Sequence, residues 1–218
     1  MNYSFNMLLE NRATIHPRLN HFMKKEEIDE FIEDRFKKID KHFHKAIAHF
    51  KTEDILEFRS EIKKLKVFLH LLNMESADGF SYRITRRMKT IYGYFGVIQN
   101  LQLQLKEINE YIKKSSGKLP VHYIKRVEKE LGFWKKISKD FIVADYDFFN
   151  DKKEITSTFP DKLTKKSIHK FIHYTIYELQ ALSGHLDDYS LDNTRKFLED
   201  IYYNYAFIKP FITEQQTA

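Results

Sequence analysis

No cysteine occurs among the 218 residues, which excludes disulfide frameworks and thiolate catalysis. Six glycines and four prolines are too few to turn the corners of a strand-rich fold. No apolar run is long enough to span a bilayer, and the opening stretch, MNYSFNMLLENRATIHPRLN, lacks a basic region followed by a long apolar one, so a cytoplasmic protein with no membrane partner is the expectation. What is present is a 42% hydrophobic composition, enough for one substantial core. A net charge of +6 favours a polyanionic partner, mildly, because 37 Lys and Arg are offset by 31 Asp and Glu.

Nearly every informative window has helical period. Ile28, Ile32, Phe36, Ile39, Phe43, Ile47 and Phe50 recur at spacings of three and four, the mark of a core-facing helix. Thr52 or Asp54 can cap the next, striped by Ile55, Phe58, Ile62, Leu65, Leu69 and Leu72. A third stripe, Ile84, Met88, Ile91 and Phe95, meets Gly93 and Gly96, after which Val97, Leu101, Leu105, Ile108 and Ile112 run in a new phase; a kink or tight turn near Gly96 accounts for the shift. KKSSGKLP, residues 113–120, is the best internal boundary. Helical patterns follow at about 120–143, 162–186 and 191–210, with ADYDFFNDKK as a connector between the first two. The expected fold is an all-α helical bundle at 23–212, in halves of about 23–115 and 119–212, with an N-terminal extension at 1–22 and a C-terminal tail at 213–218.

On the second helix, Arg59, Lys63, Lys66 and His70 centre about 110° from the apolar stripe, so they flank the core seam rather than oppose it. Their spacing of four, three and four forms a column whose cationic heads could address successive charges of one extended ligand. Arg83 and Arg87 lie similarly beside the next stripe and are expected on the same groove wall. By contrast His122, Lys125, Lys129, Lys136 and Lys139 lie about 155° from their apolar centre, a solvated face.

ILEFRSEIKKLKVFLHLL, residues 55–72, resembles the motif of the CHAD family, the histidine-containing alpha-helical domain, with Arg59, Lys63 and Lys66 at its basic positions. MKTIYGYFGVIQNLQLQL is similar to the family's following helix, and IHKFIHYTIYELQ to the repeat of the histidine motif, with His169 at the histidine. The resemblance implies two pseudo-symmetric helical halves with basic inner faces that bind inorganic polyphosphate, without catalysis or cofactor. Charge is missing at Leu56, Gln99, Asn100, Ile172, Ile176 and Leu179. Apolar residues at column positions are expected to pack into core, leaving a site mostly in the first half: Arg59, Lys63, Lys66, His70, Arg83 and Arg87, joined by His169 and His173.

His169 and His173 stand four apart without a third ligand at helical spacing, so no metal is expected. There is no phosphate-binding glycine loop, zinc-protease pair or nucleophile elbow. Tyr202, Tyr203 and Tyr205 form a local cluster that could pack or present an interface, with the core the favoured expectation. The leading expectation is a non-enzymatic binder of inorganic polyphosphate or a similar polyanion. Its rivals are a protein-interaction scaffold that has kept the bundle and lost the ligand, and a non-specific nucleic-acid binder. No helix-turn-helix or aromatic recognition motif supports sequence-specific DNA reading.

Overall fold

A computed structural model describes residues 23–75, 81–114, 120–142, 146–182 and 187–215. Seven helices occur among them: α1 (Lys25–His49), α2 (Thr52–Asn73), α3 (Arg86–Lys114), α4 (Val121–Phe141), α5 (Phe149–Thr156), α6 (Lys165–Leu182) and α7 (Asp188–Gln215). Two short strands, β1 (Met23–Lys24) and β2 (Lys162–Leu163), pair antiparallel with Met23 opposite Leu163. The bundle is all-helical, as the apolar periodicity requires. The N-terminal extension and residues 216–218 of the tail lie outside the described residues.

α1 starts with Glu26 and Glu27 in its first turn, where carboxylates suit the helix dipole; Glu27 also accepts the Lys24 backbone N–H at 2.8 Å. It ends at Phe50, which is buried with φ 51°, a left-handed conformation that costs a non-glycine residue energy. Gln102 of α3 supports this turn. Its Nε2 donates to the Phe50 carbonyl at 2.6 Å, and Thr52 Oγ1 donates to its Oε1 at 3.2 Å. Neither Thr52 nor Asp54 is therefore the cap of α2: the capping position is Lys51, without a side-chain bond, and Thr52 is already helical.

α2 is the central element, touching α1, α3, α6 and α7. Its stripe of Ile55, Phe58, Ile62, Leu65, Phe68, Leu69 and Leu72 is fully buried. One core cluster joins these to Ile28, Ile32, Phe36, Ile39 and Phe43 of α1 and to Phe148, Ile155, Leu163, Ile168 and Phe171 from later in the chain. Both expected halves thus contribute to a single core. The connector at 144–153 is not merely a loop: Tyr146 and Phe148 enter the core, and α5 begins at Phe149.

α3 runs unbroken from Arg86 to Lys114, so no tight turn interrupts it near Gly96. The apolar phase shifts because the partner changes. Met88, Ile91, Phe95 and Ile98 are buried in the core, whereas beyond Leu101 no residue of α3 is buried, and its packing with α4 includes Tyr94, which meets Trp134 and Phe141. α4 contacts principally α3 and buries only Val127 and Ser138.

Candidate functional site

The α2 column faces two neighbours, α3 and α7. Arg59 Nη1 donates to the Tyr92 carbonyl at 3.0 Å, and its guanidinium lies 4.2 Å from the Tyr92 ring centroid. Here Gly96 finds its role. A β-carbon at 96 would sit 3.0 Å from Arg59 Cζ and collide with Nη1, so the missing side chain is the notch that admits the guanidinium. Gly96→Ala should push Arg59 off the Tyr92 carbonyl, so that its gain in helix propensity is cancelled or outweighed. In an Arg59→Ala background the same change should stabilise by about 0.5–1 kcal/mol. Urea titration of the four-protein cycle measures this coupling, and additive effects would refute the notch.

Below Arg59 the column is met by carboxylates from α7. Lys63 Nζ lies 2.9 Å from Glu199 Oε1, and His70 Nδ1 lies 2.9 Å from Asp200 Oδ2. The contact is anchored between them by buried Asn204, whose Nδ2 donates to the Val67 carbonyl at 3.1 Å. The His70 ring is also flanked edge-on by Phe171 and Tyr174 of α6. Lys66 has no carboxylate partner among the described residues and lies 5.7 Å from the Tyr92 ring. Loss of hydration lowers its pKa, as do Lys89 and Lys63, against the opposing pull of Asp200 and Glu199.

Arg59, Lys63, Lys66 and His70 therefore form one continuous set, as their spacing implied. Arg83 and Arg87 have other partners. Arg83 Nε donates to Ser81 Oγ at 2.8 Å, and Arg87 stacks 3.9 Å from the ring centroid of Tyr146. That tyrosine donates to buried Asp151 at 2.7 Å, and Asp151 also accepts from Thr85. Burial and the Asp151 carboxylate push the Tyr146 phenol well above its ordinary pKa, so this cluster is structural. His169 and His173 share the side of α6 away from buried Ile168, Phe171 and Thr175; the residues that reach His70 are Phe171 and Tyr174. Among the described residues no group of three or more His, Asp or Glu could hold a metal, and no helix is long and apolar enough to cross a membrane.

Two apolar expectations are overturned. Leu56 and Ile176 do not pack into core but are 54% and 45% exposed, and Tyr202 and Tyr205 face solvent while only Tyr203 is half-buried. Helical spacing says which residues share a face, but not whether another element covers that face. Lys89, Tyr92, Glu199 and Asp200 were missed for the same reason: their partners lie on other helices. The solvated face of α4 is exposed throughout, with Lys139 reaching within 5.6 Å of the Phe50 ring.

Compared with protein-family models, with curated proteins and with solved structures, the chain matches none. The CHAD resemblance rests on the residue pattern alone.

Proposed function

We propose that this chain is a helical protein-interaction scaffold with a CHAD-like bundle, in which the cation column has been drawn into the fold. The observation that carries the reading is the pairing of Lys63 with Glu199 and His70 with Asp200. A polyanion would have to displace two carboxylates held on a helix that Asn204 and the α6 contacts already anchor. Arg59, turned onto Tyr92 and notched against Gly96, is likewise engaged within the bundle.

A second reading, polyanion binding, is favoured by one observation. Lys66 is exposed and has no carboxylate partner among the described residues, and an anion placed there would meet Lys63 and Lys89 as well, beyond the pull that Asp200 and Glu199 already exert. Titration with long-chain inorganic polyphosphate at low salt separates the two. The scaffold reading expects no saturable binding by the native chain. It also expects binding to emerge in Glu199→Gln with Asp200→Asn, with a log–log salt slope of about −0.7 for each cation released. Tight native binding abolished by Arg59→Ala with Lys63→Ala would overturn it, and loss confined to Lys66→Ala with Lys89→Ala would establish the second reading.

A further inference from the structure

α7 has one broad apolar arc, part of it packed on the bundle and part of it open, the two centred about 100° apart around the helix. Its inner side carries Phe197, Ile201 and Asn204 against the bundle, while Leu191, Leu198, Tyr202 and Tyr205 are 52%, 54%, 55% and 50% exposed. With Arg195 these four form a run spaced four, three, four and three, one continuous stripe along a helix. A shallow concavity follows it, lined by Leu191, Thr194, Arg195, Leu198, Glu199 and Tyr202. The open part of the arc is an apolar surface that nothing covers among the described residues.

Resting on the scaffold reading and naming its partner, we propose that this stripe binds a second copy of the chain, with the two α7 helices antiparallel about a two-fold axis near Leu198. Three features select that occupant. The first is the order of side chains: leucines occupy the first half of the stripe and tyrosines the second, so an antiparallel pair lays Leu191 of one copy on Tyr205 of the other. The same arrangement sets Arg195 over Tyr202 of the second copy, a cation–π pairing, where a parallel dimer would oppose two arginines. The second is charge. The side chains of exposed Asp192, Arg195 and Lys196 and of part-buried Glu199, which also meets Lys63, cancel one another, Arg195 bonding Asp192 at 2.8 Å and Glu199 at 2.6 Å and Lys196 bonding Asp192 at 2.6 Å. On a chain of net charge +6, a locally neutral face is where identical copies meet with least repulsion. The third is area. Leu191, Leu198, Tyr202 and Tyr205 expose roughly 400–500 Å² per protomer, the size of a weak, concentration-dependent contact.

The absence of native cysteine makes the test direct, because each introduced cysteine is the single thiol of its chain. Under mild oxidation Leu198→Cys should form a disulfide dimer. Leu191→Cys alone should not, because its two copies would lie about 21 Å apart along the axis. Leu191→Cys mixed with Tyr205→Cys should cross-link as a heterodimer. In parallel, sedimentation of the uncross-linked native chain should show concentration-dependent dimerisation, weakened about tenfold or more in Leu198→Asp with helicity and melting temperature unchanged. A native chain that stays monomeric at all concentrations, or Leu191→Cys that cross-links to itself as readily as Leu198→Cys, overturns the proposal. Neither result touches the scaffold reading, which stands or falls on the polyphosphate titration.

Discussion

Glu61→Ala is expected to lower the unfolding free energy by about 3–5 kcal/mol, among the largest effects of any single substitution in this chain. Glu61 is only 4% exposed on α2 and bonds two cations: Arg35 of α1, through Nη1, and Lys64 at 2.6 Å. The Arg35 guanidinium lies 5.0 Å from the Phe31 ring centroid, and its Nε is buried with no hydrogen-bond partner among the described residues. Removal of the carboxylate leaves that guanidinium dry and uncompensated, which costs far more than the pair itself contributes. Replacing both partners, Arg35→Met with Glu61→Leu, should therefore recover most of the loss. Burial alone would raise the Glu61 pKa, but Arg35 and Lys64 outweigh it and hold it below the usual value. A carboxylate depressed in the folded state contributes stability that is present above its unfolded pKa of about 4.3 and is lost as pH falls toward the folded value. Urea unfolding at neutral and acid pH should thus show a smaller acid loss in the Met–Leu double variant than in the native chain. An equal loss would remove Glu61 from the acid response.

Phe43→Ala should cost a similar amount, about 3–5 kcal/mol, for a different reason. Phe43 is 1% exposed, and its ring meets Phe58 of α2 at 5.8 Å, Phe95 of α3 at 6.2 Å, and Tyr146 and Phe148 at 5.4 and 5.1 Å. Deleting it opens a cavity where α1, α2, α3 and the approach to α5 converge, and rings held by three helices cannot all move to fill it. Phe133→Ala on α4, where the ring is 56% exposed, should change stability by less than about 0.5 kcal/mol. Denaturation midpoints of the two variants test the contrast, and comparable losses would mean that α4 is more tightly integrated than its contacts show.

The stripes of α1 and α2 were legible because a core-facing helix writes its burial directly into its period. Ile28, Ile32, Phe36, Ile39 and Phe43 are all buried, as their spacing requires. The cation column was legible for the same reason, by angle. What closes it was not, because Glu199 and Asp200 lie on a helix more than a hundred residues away and no local pattern says which helix will lie across α2. Gly96 carries two meanings in a sequence, a break or a close approach, and only the position of Arg59 decides between them. Tyr202 and Tyr205 share their spacing with core residues; their exposure is a fact about what α7 does not touch.

The central place of α2 bears on how this fold can change over evolutionary time. A helix gripped by four others has few positions left on which to vary, chiefly Glu53, Leu56, Glu57 and Lys66, so drift elsewhere in it is purged as misfolding before it can be tried as chemistry. α4, held principally along one side by α3, is insulated from the core and can exchange its outer residues almost freely. New binding specificities in descendants of this chain would accumulate on α4, while α2, with Arg59, Lys63 and His70 tied to α3 and α7, stayed as it is.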